Sequence, residues 1–368
     1  MTKKNAKRIL RVVLAVGTIT SLFFVPWILI KAWILPLPDT VQEQLDEGLG
    51  YGFDGMIVYV DQADREPAFY AAGWHDRKNK IPADPHALFK IASISKLYDA
   101  VATAKLVSDE QLSLDKTLAD YLPELVGRIE YASKISLRMM VEHRSGIPNI
   151  TNTPDFWTNP PKSSKEALER IYNLPASFKP GSDYEYSNTN YLLISKIIEK
   201  ELGYSSSQYI KEEILTPLGL TNTYASIHQV NMDKLMSGYY VGVEDDIKTA
   251  DYGSMVATAE DVGIFLRALN DGSLFDGEEQ AIYSSIYKYS HTGLIPGYQS
   301  IAQYHKDIDT VVIQFVNTTN FDGYTWSLSE IVYNRIIKIV RSKKVPGNLQ
   351  ATLPTGILFP PMPRETDV

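Results

Sequence analysis

The stretch FKIASISKLYDAVATAKLV (89–107) sets Ser93 and Lys96 three positions apart at the head of an apolar helical pattern. If a helix begins near Ser93, positions i and i+3 share a face, so the hydroxyl and the amine can meet. Leu97, Ala100, Val101 and Ala104 supply the apolar side of that helix. A serine at a helix start also lies in a field that favours a developing alkoxide. A serine hydroxyl is a weak nucleophile that needs an adjacent base. A lysine serves as that base only where desolvation or nearby positive charge favours its neutral form. The bland reading of the pair is a capping serine beside a solvated lysine. The spacing alone is common: Ser285-Ile286-Tyr287-Lys288 repeats it, but before a strand and without a long apolar helix behind it.

Two further motifs follow in order. Tyr186-Ser187-Asn188 lies in FKPGSDYEYSNTNYLLI, where a phenol can relay a proton and an amide can hold a substrate amide and the lysine. The plain alternative is a Pro-Gly turn leading to a helix that Asn188 caps. His291-Thr292-Gly293 lies in YSHTGLIPGYQS, where a glycine after a hydroxyl residue lets backbone N–H groups approach a substrate oxygen closely. The alternative there is a polar strand end before a Pro-Gly turn.

Together, Ser-x-x-Lys, Tyr-x-Asn and His-Thr-Gly resemble the three motifs of the serine beta-lactamase and penicillin-binding-protein superfamily, especially class C enzymes, DD-carboxypeptidases and related esterases. The flanks LFKIASISK, QLSLDKTLADYLPEL, MMVEHRSGIP, ILTPLGLTNT and MVATAEDVGIFLRAL resemble that family's stretches, in its order, over about residues 40 to 341. The resemblance implies that Ser93 attacks a carbonyl and forms an acyl-enzyme, with Lys96 as general base and Tyr186 passing a proton to the leaving group. It implies an oxyanion hole from the backbone N–H groups of Ser93 and Leu294. Asn188 would hold the acyl amide, and His291, Thr292 and Gly293 would line the substrate side. His291 stands where beta-lactamases more often carry lysine. A neutral imidazole attracts a penicillin carboxylate less than an ammonium does, so a DD-carboxypeptidase or a carboxylesterase ranks ahead of a beta-lactamase. The implied substrate is a small molecule or peptide: a cell-wall peptide, an ester or a beta-lactam. A non-catalytic penicillin-recognising sensor is the reading from another class, and it has no need of Lys96 and Tyr186.

The implied fold is α/β (α+β): an antiparallel sheet flanked by helices, a mostly helical subdomain, and one transmembrane helix in front. The residues agree. GFDGMIVYVDQ (52–62) and PAFYAAGW (67–74) read as a strand hairpin, SIAQYHKD and DTVVIQFVNTT as later strands, and Thr325 to Val340 as a closing helix. Ser136 is placed to cap a helix carrying Leu137, Met140 and Val141, and Gly203 to end the one over Tyr191 to Leu202.

Between Arg11 and Lys31 run nineteen uncharged residues, VVLAVGTITSLFFVPWILI. A helix of about twenty residues crosses about 30 Å of hydrocarbon. Pro26 is placed to kink it, and Trp27 and Trp33 suit an interface. Every ionisable side chain before Asp39 is basic: Lys3, Lys4, Lys7, Arg8, Arg11 and Lys31. That predicts a cytoplasmic segment over 1–11, an anchor over 12–34, a catalytic domain over 39–341 on the periplasmic or external side, and a proline-rich tail over 342–368. Leu35-Pro36-Leu37-Pro38 reads as a short stiff spacer. From Asp39 onward 30 basic residues face 44 acidic ones, which disfavours nucleic acid as a partner. With no cysteine, disulfides and thiolate chemistry are excluded. His75, His86, His228 and His305 show no metal-ligand spacing and read as surface or loop residues; His143 reads as structural, in a helix-ending turn. No cofactor and no metal are expected, and oligomeric state is left open.

Overall fold

A computed structural model describes residues 3–342, so the expected tail beyond Ser342 lies outside the described residues. Helices α1 (Lys3–Leu22), α2 (Trp27–Ile34) and α3 (Val41–Leu49) lead into strands β1 (Gly55–Gln62), β2 (Ala68–Asp76), β3 (Ile81–Pro82) and β4 (Phe89–Lys90). A helical stretch follows: α4 (Ser95–Ser108), α5 (Leu118–Tyr121), α6 (Leu137–Val141), α7 (Ser164–Glu169), α8 (Asn188–Leu202) and α9 (Ser206–Ile210). Short strands β5 (Thr223–Tyr224), β6 (Tyr239–Tyr240) and β7 (Val256–Ala257) precede α10 (Ala259–Asp271) and α11 (Gly277–Ile286). Strands β8 (His291–Ile295), β9 (Tyr298–His305), β10 (Thr310–Val316) and β11 (Thr318–Thr319), then α12 (Thr325–Ser342), complete the described residues.

The main sheet is antiparallel in the order β3-β2-β1-β10-β9-β8. Its centre joins β1 from the start of the domain to β10 from its end, so the sheet closes only when the two ends of the chain meet. Side chains alternate between faces along a strand. Ile57 and Tyr59 of β1, with Ile313 and Phe315 of β10, enter the core beneath α4, α8 and α10. Met56, Val58, Val60, Val312 and Val316 enter the opposite core beneath α3 and α12. Burial on both faces is why these two strands read as unbroken apolar runs. The helical insert between β4 and β8 packs on one face of the sheet, which leaves β8 as an edge strand beside it. A second small sheet, β4-β7-β5, was not foreseen, because strands of two residues carry no periodicity. Ser136 accepts from the Met139 N–H, and Gly203 ends α8 at φ 77°, both as expected.

The expected single anchor helix is replaced by two. Helix α1 starts at Lys3, stops at Leu22, and α2 resumes after Pro26 with a bend of 74°. Proline has no N–H to give and its ring clashes with the carbonyl four residues back, here Leu22. Among the described residues no single helix is long and apolar enough to cross a membrane, although the bent pair is so by combined length and composition. His75 and His305 also differ from expectation. His75 is buried in β2, and His305 sits in β9 with Nε2 2.9 Å from the Tyr333 hydroxyl.

The residues after α2 are more than a spacer. Buried Arg335 of α12 donates to the carbonyls of Leu35 (2.7 Å) and Pro36 (2.8 Å), to Gln44 Oε1 (2.6 Å) and to Glu47 (3.1 Å). One guanidinium thereby ties the N-terminal segment to the closing helix. Arg335→Ala strands two carbonyls, a buried amide and a carboxylate at once, a loss of about 3 kcal/mol. Urea unfolding followed by circular dichroism should show that loss, together with faster limited proteolysis between residues 34 and 40.

Candidate active site

Ser93 sits in a single 3₁₀ turn, Ala92–Ile94, directly before α4. The turn is pinned on every side. The Ile91 N–H donates to the Met255 carbonyl (3.1 Å), the Ala92 N–H to Ser254 Oγ (2.8 Å), and Ser300 Oγ donates to the Ile91 carbonyl (3.0 Å). Ala92 has φ +50°, a conformation that side chains other than glycine rarely adopt, and these bonds hold it there.

The helical spacing brings Lys96 to Ser93 as expected. Lys96 is buried, with Nζ 3.2 Å from Ser93 Oγ and 2.7 Å from Asn188 Oδ1. From the second motif, the Tyr186 hydroxyl donates to Ser93 Oγ at 2.7 Å. Two segments therefore converge on one oxygen and its amine partner.

Tyr186 and Asn188 occupy the entry to α8, and residues before that helix set their orientation. Asn149 Oδ1 accepts from both the backbone N–H (2.9 Å) and the side-chain amide (3.2 Å) of Asn188, which turns Asn188 Oδ1 toward Lys96. Asn188 is thus the first helical residue and not the cap. The His143 ring lies 4.4 Å from that of Tyr186, and its Nδ1 accepts the Ser187 N–H at 3.2 Å. Burial, then the charges of Lys96 and Lys288, push the His143 imidazole down to about 3. It is neutral, sits at φ +58° in the turn after α6, and buttresses Tyr186, which is the structural role expected of it.

The third motif forms β8. Ile295 and Tyr298 pair across the two-residue turn Pro296-Gly297, so alternate residues from there face β9. Leu294 falls on the other parity, and its N–H points out from the sheet edge, the direction an oxyanion donor needs. The neighbouring strand agrees: the Asn317 N–H donates to the Gly55 carbonyl, which fixes the same alternation across β10. Gly293 is required for contact. A Cβ there would stand 2.5 Å from the Ile91 carbonyl and 2.9 Å from Ala92 Cβ, and nearer still to Ser300 Oγ. The missing side chain lets the edge strand lie against the turn that carries Ser93.

His291 departs from the expectation that it faces substrate. It is buried, Nδ1 meets the Thr292 carbonyl, and Nε2 lies 3.0 Å from the Tyr287 hydroxyl. Burial, then Lys288 and Lys96, hold its pKa well below the ordinary value, so the ring is neutral and both nitrogens are occupied within the protein. Thr292 alternates to the opposite side of the strand and stays partly exposed. The second Ser-x-x-Lys is no site of that kind. Helix α11 ends at Ile286, and Ser285 Oγ donates back to the Ile282 carbonyl. Sequence reading missed Asn149, Tyr287 and Asp99. Burial raises the Asp99 carboxyl to about 7, with Lys96 opposing, one helical turn beyond that lysine. Only the i+3 spacing of Asp99 from Lys96 could have flagged it.

A fold of this shape with serine, lysine and tyrosine gathered on one oxygen defines a member of the serine hydrolase superfamily. The family profile described as Beta-lactamase matches residues 38–285, and the chain belongs to that family. Protein flp of Staphylococcus aureus (strain MW2) is 26% identical over 233 residues, 60% of this chain and 45% of that protein. The chain thus spans less than half the length of that relative. The putative penicillin-binding protein PbpX of Bacillus subtilis (strain 168) is 24% identical over 74% of this chain and 72% of its own length. Among solved structures, the D-amino acid amidase of Ochrobactrum anthropi SV3 superposes with TM-score 0.72 at 23% identity, covering 83% of this chain and 98% of that one. The penicillin-binding protein of Bacillus halodurans gives 0.69 at 20% identity over 82% and 99%. At these identities the structural likeness shows the fold.

Two predictions follow from the geometry. Gly293→Ala must push β8 off the serine turn; a shift of about 1 Å costs about a hundredfold in kcat/KM, with the melting temperature nearly kept. Steady-state kinetics beside a thermal melt separates the two. His143 has a folded pKa of about 3, below its unfolded value. Its contribution to stability is therefore full above about pH 6.5 and is lost as pH falls toward 3. His143→Gln should flatten the slope of unfolding free energy against pH across that window, measured by denaturant titrations at fixed pH values.

Proposed function

We propose that this chain hydrolyses an amide or ester through an acyl-serine intermediate, acting as a DD-carboxypeptidase-like enzyme on cell-wall peptides or as a carboxylesterase. One observation carries the reading: Ser93 Oγ lies within hydrogen-bond reach of both Tyr186 and Lys96. Ser93 attacks the carbonyl carbon, and Lys96 receives the hydroxyl proton. Tyr186 delivers a proton to the departing nitrogen or oxygen, then helps water attack the ester. The outward N–H of Leu294, with that of Ser93, receives the carbonyl oxygen as charge develops; losing one such donor costs about 3 kcal/mol of barrier. The amidase and penicillin-binding neighbours support amide chemistry. The neutral, internally bonded His291 speaks against a beta-lactamase, whose substrate carboxylate it would attract only weakly.

The same proposal puts the catalytic domain on the periplasmic or external face of a cell membrane. Its support is the apolar run, the basic cluster before it, and exposed Phe23, Phe24, Trp27 and Trp33.

Full-length protein in detergent, incubated separately with a fluorophosphonate and a fluorescent penicillin, tests the chemistry. The expected adduct is on the peptide carrying Ser93 and is absent from Ser93→Ala. Slow release of the penicillin label marks a peptidase, and labelling by the fluorophosphonate alone marks an esterase. Rapid penicillin turnover, or no adduct at Ser93, would overturn the reading.

A further inference from the structure

His291 is neutral and internally bonded, so it supplies no charge to a substrate. A different lysine stands nearby, in the link between α11 and β8. Lys288, with Glu142, His143, Tyr184, Tyr186 and Tyr287, lines a cleft of about 320 Å³ that opens beside the catalytic phenol. The link is held at both ends: the Tyr283 hydroxyl donates to the Lys288 carbonyl at 2.6 Å, and Tyr287 meets His291. The cleft's wall is therefore built in advance of any ligand.

Charge in this cleft is unbalanced. The one carboxylate in its lining, Glu142, is paired with Arg138 at 3.4 Å. Among the described residues Lys288 has no ion-pair partner, and it is exposed to solvent at the mouth of the cleft. Protein packed around it, then the charge of Lys96, hold its pKa below the usual lysine range. Its charge bears on His143 and His291, and it shares the cleft lining with His143 and Tyr186. An ammonium in a partly desolvated cleft gains more from an anion than one in open water.

We propose that Lys288 is the specificity-determining cation of the site, receiving an anionic group borne by the leaving group on the Tyr186 side. The inference rests on the acyl-serine reading and names the substrate feature that the reading leaves open. Tyr186 protonates what departs, so what departs lies against Tyr186, and the cleft begins there. A carboxylate close beyond the scissile bond is the group this cation would receive, its binding weakening as salt screens the pair.

The test uses the full chain in detergent and two thioesters of one acyl group. One carries thioglycolate as leaving group, the other its neutral thioglycolamide. In both, a bond forms from Ser93 Oγ to the carbonyl carbon, the C–S bond breaks, and the serine proton departs with the thiol. Water then releases the acid. The wild type should favour the anionic thioester in kcat/KM by about tenfold, mainly through KM, and the preference should shrink between 50 and 500 mM salt at a scale set by screening. Lys288→Met should abolish the preference, Lys288→Arg should restore most of it, and the surface control Lys211→Met should leave it intact. Equal preference in wild type and Lys288→Met, with both esters turned over, would remove this inference alone. No turnover of either ester and no adduct at Ser93 would remove the acyl-serine reading and this one with it.

Discussion

The whole arrangement depends on a close contact: the turn Ile91–Ala92 pressed against the edge strand at Gly293. That contact sets Ser93 beside an outward backbone N–H, and only a residue without a Cβ permits it. The surrounding bonds from Ser254, Ser300 and Met255 fix the turn despite its left-handed Ala92. Once the turn is fixed, α4 projects Lys96 toward Asn188, and α8 brings Tyr186 to the same oxygen. The helical insert packs over one face of the sheet.

Such a site is assembled late in sequence terms. Its three segments lie about a hundred residues apart, and β1 must find β10 across most of the domain before the β8-β9-β10 meander joins the rest of the sheet. Long-range pairing of this kind carries a loop-closure cost before it is rewarded. The two cores, one on each face of the sheet, supply the burial that offsets it. Arg335 extends the same logic to the N-terminal segment, coupling the residues after α2 to the closing helix by hydrogen bonds and not by apolar packing alone.

Much of this was legible in the residues. The motifs at 93, 186 and 291 marked the segments that meet, and the apolar stretches around 56–60 and 311–316 marked strands, whose burial on both faces only the structure shows. What could not be read was orientation. Nothing in the order of residues tells that His291 turns inward to Tyr287, since either rotamer fits a strand end. Asn149 is an unremarked polar residue whose role appears only when α8 lies beside it. The break at Pro26 was readable as a kink, but its 74° bend was not, and α2 beyond it rests on α12. The small β4-β7-β5 sheet has no local signature, being made by tertiary contact alone.

The most direct measurement is a crystal structure of the chain with an arylboronic acid, which mimics the tetrahedral adduct. The account predicts a bond from boron to Ser93 Oγ, with one boronate oxygen about 3 Å from the N–H groups of Ser93 and Leu294, and Tyr186 and Lys96 still in contact with Oγ. A boronate bound elsewhere, or an adduct whose oxygens point away from β8, would contradict it.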